Sequence, residues 1–298
     1  MLTHRMSDTL SIVGTGRVGR ALGRHLRQLG WRIGAVTGRS LGSARAAVRV
    51  IGGGQALGEP SPQVLNSRVI LIATPDDVIE SVARELSQIG GKEWRGKVVL
   101  HTSGARDTSV LQPLADLGAA AGSMHPMQSF SNQNIPSLAK CFFGIEGSLA
   151  AMRVARKMIH QLDGIPVRLS GANKAAYHAS GSFACVYVLT LMETATRILM
   201  AQGFKRRQAM RALLPMTRQT LDNFERVGPL AAWTGPLARQ DFSTIELHVK
   251  ALAEMDSEYL EAYKLLSRLT AKVLASKPGS MIKQLDRIYG EAGQATKK

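Results

Sequence analysis

Cysteine is nearly absent from this chain of 298 residues: Cys141 and Cys185 stand far apart, in neither a CxxC nor a metal-ligand spacing. That excludes a disulfide framework or a thiolate metal site and fits a reducing compartment. No stretch approaches the ~18 uninterrupted apolar residues of a membrane span. The nearest, 183–200, carries Glu193 and several threonines. The first residues, Met-Leu-Thr-His-Arg-Met, lack the apolar run of a signal peptide. A soluble, cytoplasmic protein without a membrane partner is expected.

Acid is scarce in one place above all. Between Asp8 and Glu59 there is none, while Arg17, Arg20, Arg24, Arg27, Arg32, Arg39, Arg45 and Arg49 all fall there. A local field of that sign attracts phosphorylated or carboxylate ligands. For Arg20, Arg24 and Arg27 the expected reading is a solvated helix face. Charge alone also suits nucleic acid, but no binding motif or aromatic-interleaved basic run accompanies it, so nucleic acid is not an expected partner.

What is present organises around Leu10-Ser-Ile-Val-Gly14-Thr-Gly16-Arg-Val-Gly19. A short apolar β-type run breaks into Gly-x-Gly-x-x-Gly and passes straight into a helical stripe, Val18, Leu22, Leu26 and Leu29. In a dinucleotide-binding turn Gly14 permits the sharp reversal and Gly16 the approach of backbone to a pyrophosphate. Gly19 permits close helix packing, and the helix start offers N–H groups to phosphate. Cofactor-binding residues are therefore expected at Gly14, Thr15, Gly16, Arg17, Val18 and Gly19. The second strand, Trp31 to Thr37, ends in Gly38-Arg39-Ser40 where NAD-selective folds place a carboxylate. An arginine there pairs with a 2′-phosphate, so NADP(H) is the expected cofactor, held by Arg39 and Ser40.

Further along, Val48–Gly54 resembles a short strand. Val69–Ala73 is a continuous apolar run suited to a parallel strand covered on both faces, with Asp76 or Asp77 placed to cap the helix that follows. Val98–Leu100, 122–130, Phe142–Ile145 and Pro166–Leu169 read as later strands, with a helix near Ala150–Leu162. Ligands bind at the carboxyl ends of such strands, which adds Thr74, Pro75, Thr102 and Ser103 to the cofactor site. From Ser170 the alternation stops and helical patterns take over, at 174–201, 205–226 and 243–275, the last opening on a capping-box spacing, Ser243-x-x-Glu246. The expected architecture is α/β: a doubly wound Rossmann-type parallel sheet over 1–169, then an all-α helical domain over 170–298. About two domains suit this length.

Lys174, Tyr177 and His178 lie at i, i+3 and i+4, one face of a helix otherwise built of small apolar residues. A lysine buried on such a face has its pKa lowered toward an acid/base range; a first-turn lysine reaching solvent is the plain alternative. Likewise, His125 either joins the chemistry or simply caps its strand.

The glycine loop, Ala73-Thr-Pro-Asp-Asp77, His101-Thr-Ser-Gly-Ala105, His125-Pro-Met-Gln-Ser-Phe130, Lys174-x-x-Tyr-His178 and Thr234–Asp241 occur in that order. Together they resemble a family held to be NADP oxidoreductases, in which a Rossmann domain precedes a C-terminal domain of unknown function, type 2520. These look like distant kin of ketopantoate reductase, pyrroline-5-carboxylate reductase and 6-phosphogluconate dehydrogenase. The resemblance implies an NADPH-dependent reductase of the C=O or C=N bond of a small carboxylate, with Lys174 catalytic and His178 or His125 as the alternative proton donor. Arg239 would clamp the carboxylate, with Asp241 and Thr244 in the same substrate-binding segment and no metal. A homodimer through the helical domain is implied as well. A non-catalytic NADP(H) sensor is the competing class. One departure stands out: Ala184-Cys185-Val186 replaces the family's Ala-Ser-Asn.

Overall fold

The computed structural model describes residues 8–131 and 134–295, with side chains as far as residue 290. The chain divides into two compact units, Met1–Tyr187 and Val188–Lys298.

The first unit is an eight-stranded sheet. Its strands are β1 (Thr9–Val13), β2 (Arg32–Thr37), β3 (Gln55–Leu57), β4 (Val69–Ile72), β5 (Val98–His101), β6 (Ala120–Pro126), β7 (Phe142–Gly147) and β8 (Ile165–Arg168). They lie in the order β3-β2-β1-β4-β5-β6-β7-β8. All neighbours are parallel except β6 and β7. The central strands are apolar on both faces because both faces are covered. Leu10, Ile12, Val69, Leu71 and Leu100 enter one core, Val13, Ile70, Ile72 and Val99 the other, following the period-2 alternation of a strand.

Helices α1 (Arg17–Gln28), α2 (Leu41–Ile51) and α5 (Leu149–Gln161) cover the first face through Leu22, Leu26, Ala47, Ile51, Ala151 and Met152. Helices α3 (Ile79–Ser87) and the short α4 (Gln112–Ala115) cover the second through Ile79, Ala83, Leu86 and Leu114. The strand order steps from β3 across to β4, and ligands bind at that reversal, outside the carboxyl ends of β1 and β4.

Several local expectations are corrected. Val48–Ile51 ends α2 rather than forming a strand: Ser40 Oγ accepts from Ser43 N–H as its N-cap, and left-handed Gly52 closes it. The apolar run there is one face of a helix, Ala44, Ala47 and Ile51, and the strand begins at Gln55. Neither Asp76 nor Asp77 caps α3 with its side chain; both lie in a 3₁₀ turn before it. The break expected at 169 is the end of the sheet. The first unit runs on to Tyr187, because α6 (Lys174–Ser182) buries Lys174 on β6.

The second unit holds α7 (Val188–Ala201), α8 (Arg206–Ala232), α9 (Phe242–Ala253), α10 (Ser257–Leu274) and α11 (Pro278–Ala295). Gly228, at φ 77°, breaks the helical path inside α8 just before Pro229. The expected helix over 243–275 is two helices, because Asp256 starts a new one by accepting from Glu258 N–H. Its capping box is absent: Asp241, two residues earlier than Ser243, is the N-cap of α9. The core of this unit is small, built on Ile245, Val249, Ala271, Met281, Leu285, Ile288 and Tyr289.

Candidate active site

A cleft of about 820 Å³ opens at the carboxyl ends of β1, β2 and β4, lined among others by Gly14, Thr15, Gly16, Arg39, Thr74 and Pro75. Gly14 sits at φ +115°, and a Cβ there would lie 2.5 Å from the backbone of Ala73. Only glycine fits so tight an exit from β1. No side chain caps α1 at Gly16, which leaves first-turn N–H groups for an anion. Thr74 Oγ1 is buried and has no partner among the described residues. An uncapped helix start, a close-packed glycine and an unpaired hydroxyl together fit the cradle that a dinucleotide pyrophosphate requires.

The other expected cofactor residues divide. Gly19 packs the helix onto the strand: a Cβ there would meet Gly14 O at 2.7 Å. Val18 packs against the core. Arg17 lines a different cavity and donates to Phe130 O at 2.9 Å, while Ser40 caps α2. Thr102 is buried, its N–H bonded to Ile72 O. Ser103 Oγ accepts from the N–H groups of Ala105 and Arg106, so it shapes the turn after β5. Sequence reasoning missed Glu59, Asp77 and Glu85, three acids in the cleft lining.

Next to this cleft in the sheet, three expected catalytic residues come together. Lys174 is fully buried, and its Nζ donates to Ser123 Oγ at 2.7 Å. Burial pulls its pKa down to about 8, opposed by the charges of Glu146, Asp107 and Asp76. His125 Nδ1 pairs with the Tyr177 hydroxyl at 3.1 Å, and its ring meets that of His178 edge-on at 5.5 Å. Burial, then the neighbouring His178 and Lys174, hold His125 down to about 4. The loop after β5 lies against both rings: a Cβ on Gly104 would stand 2.5 Å from His178 Cδ2 and 2.8 Å from His125 Nε2.

Strand register explains the convergence. Ser123 faces His101 on β5 and Glu146 on β7, while His125 faces Gly144. His101 Nδ1 accepts from Ser103 N–H at 3.2 Å, so Nε2 carries the proton, and it has no partner among the described residues. Burial, then the charge of Lys174, pushes His101 down to about 3. At neutral pH His101 and His125 are therefore neutral imidazoles, beside an ammonium at Lys174 whose proton is readily released. Ser123, His101 and Glu146 were missed in the sequence. Ser123 had a signal, since it alternates with His125 along one strand face.

Arg239, Asp241 and Thr244 belong to the second unit. Arg239 is exposed. Asp241 accepts from Thr244 N–H at 3.1 Å, from Thr244 Oγ1 at 2.7 Å and from Ser243 Oγ at 2.8 Å. Those bonds hold its carboxyl below the usual range, and make it the fastener at the start of α9.

A comparison with curated proteins finds no match. Among solved structures, a candidate NADP oxidoreductase from Bacteroides fragilis superposes with a TM-score of 0.72 at 21% identity, covering 88% of this chain and 97% of that one. An imine reductase from Myxococcus stipitatus in complex with NADP+ gives 0.66 at 19%, covering 94% and 99%. A reductive aminase from Aspergillus terreus, in complex with NADPH and ethyl-5-oxohexanoate, gives 0.64 at 16%, covering 90% and 94%. At these identities the likeness is one of fold. The family model of a Rossmann-like domain matches residues 3–126, and that of the domain of unknown function DUF2520 matches residues 141–270. The chain thus carries a match to a Rossmann-like domain followed by a match to a DUF2520 domain.

Proposed function

We propose that this protein is an NADPH-dependent reductase acting on the C=O or C=N bond of a small carboxylate. The carrying observation is Lys174, fully buried, hydrogen-bonded to Ser123 and beside His125 in the sheet whose glycine loop opens the dinucleotide cleft. The NADP+ and NADPH complexes among the solved structures of the same fold support the choice of cofactor. Gly14, Thr15 and Gly16 would hold its pyrophosphate and Arg39 its 2′-phosphate; when bound, it supplies a hydride. The chain supplies the proton. Lys174, with a pKa near 8, remains an ammonium at neutral pH yet yields its proton more readily than an ordinary lysine. His125, neutral in that range, is a hydrogen-bond partner that orients the acceptor. Arg239 is assigned to the substrate carboxylate, whose shape a guanidinium fork fits.

The test follows NADPH absorbance over a panel of 2-keto acids and cyclic imines. Lys174→Ala is expected to lower kcat by about 10²–10⁴-fold with NADPH affinity unchanged; unaltered turnover sinks the assignment. Arg39→Ala should erase most of the preference for NADPH over NADH, a charge-assisted contact of about 1.5–3 kcal/mol. Glu59 in the same cleft opposes a phosphate, so equal affinities in the parent would remove Arg39 from the site.

We also propose a homodimer. The helical run Gly171–Ala201 has a mean hydropathy of 1.4 in its most apolar window, of which only 6% is buried. By length and composition alone it is apolar enough to cross a membrane. Lys174 buried on the sheet, and Glu193 paired with Arg197 and Arg206, favour a second copy as its cover. Light scattering at micromolar concentration decides; a monomer refutes it.

A further inference from the structure

A second cavity, of about 520 Å³, lies on the outer side of α1 and shares no lining residue with the dinucleotide cleft. Its wall is cationic. Arg17, Arg20 and Arg24 project from α1 at i, i+3 and i+7, one stripe of the helix, and His25 stands beside them. No acidic residue lines the cavity, none occurs in α1, and none of the three arginines makes a carboxylate ion pair among the described residues.

This arrangement is unfavourable for the helix by itself. Like charges at i+3 and i+4 repel, and cations in a first turn oppose the helix dipole. The opposite wall is formed by Phe130, Ser131 and Asn134 to Pro136, and it is fastened at two points. Arg17 Nη1 donates to Phe130 O at 2.9 Å, and His25 Nε2 donates to Pro136 O at 2.9 Å. A carbonyl only accepts, so the second bond also fixes the His25 tautomer. Phe130, Ile135, Pro136 and Val50 add an apolar surface.

We infer that this cavity is a second anion site, which takes a small organic polyphosphate: its phosphates lie along the α1 arginines and its apolar body against Phe130 and Ile135. The volume is that of a small-molecule pocket, and a concave wall of this size suits a compact ligand better than the backbone of a nucleic acid. Because the walls are separate, occupancy here leaves the dinucleotide cleft open.

The experiment is calorimetric titration of the full chain with tripolyphosphate and, separately, with ATP. The parent, Arg20→Gln/Arg24→Gln and Arg39→Ala proteins are compared, all checked for an unchanged circular dichroism spectrum. Expected is saturable binding of both probes to the parent, weakened by higher salt. The double variant should bind about tenfold or more weakly, and Arg39→Ala should keep the tripolyphosphate affinity of the parent. Arg24→Glu gives a second reading, with a loss at least as large from one exposed position. ATP binding more tightly than tripolyphosphate supports the apolar wall; equal affinities overturn that part. Absence of saturable binding, equal affinity in the double variant, or loss confined to Arg39→Ala overturns the site. A single-stranded RNA binding more tightly than either probe overturns the choice of a small ligand.

Discussion

The two units bury their apolar residues to very different degrees. In the first, whole strands vanish from solvent: Leu10, Ile12, Ile70, Leu71, Ile72, Val99 and Leu100 are all fully buried. In the second, Leu189, Met216, Leu230, Leu247 and Leu265 are each more than 60% exposed, and the core is a short list of helix contacts. A sheet covered on both faces completes its own core within one chain. A helical unit with apolar residues all round needs another surface to finish it. The difference shows where self-sufficient stability resides and where partner-dependent stability is expected.

The sharpest break of that comparison is a matched pair of truncations. Leu71→Ala, in the middle of β4, should cost about 2–5 kcal/mol. Leu247→Ala, 64% exposed on α9, should stay within about 0.5 kcal/mol in the dissociated chain. Urea unfolding of the intact chain measures both, and equal costs would erase the contrast.

The strongly perturbed histidines and lysine also belong to the first unit, so it should dominate the pH dependence of stability. His101 and His125 are neutral when folded, with pKa values near 3 and 4. As pH falls below about 6.5 the unfolded chain takes up protons that the folded chain refuses, and stability is lost until the folded pKa is reached. His101→Gln should flatten that loss, by at most about 1.4 kcal/mol per pH unit. An unchanged acid limb in urea midpoints would contradict the burial of His101.

Lys174 acts over a narrower window with the opposite limb. Folded, it releases its proton near 8; unfolded, it holds it to about 10.4. Between those values the unfolded chain binds more protons, so stability rises with pH. Lys174→Met should abolish the rise. The same proton supports the proposed turnover, so the parent's kcat should decline above pH ~8 while stability still climbs.

The smallest effect concerns the second unit's exposed face. Leu189→Ala should weaken the proposed self-association about tenfold and leave the melting temperature of the dissociated chain unchanged, by sedimentation and calorimetry. A fall in that melting temperature would mean Leu189 supports its own unit after all.

Much of the sheet was legible because both-face burial leaves continuous apolar runs and the glycine loop needs glycine at fixed places. The misreadings share a cause. At Val48–Ile51 a β-branched run belongs to a helix whose start, eight residues earlier, depends on Ser40 capping the N–H of Ser43. At 243–275 an unbroken pattern hides a new start at Asp256. Caps are single hydrogen bonds, and periodicity does not register them.

The sequence by itself determined most of the alternation of strand and helix up to Leu169, α2 excepted, the glycine turn at Gly14 and the shared helix face of Lys174, Tyr177 and His178, because these rest on local periodicity and sterics. Only the tertiary structure decided that Lys174 meets Ser123, that His101 and Glu146 flank it, and that Arg17 turns away from the glycine-loop cleft toward Phe130. Those facts depend on strand register and on segments more than fifty residues apart in sequence. No local pattern encodes which row of one strand faces which row of the next.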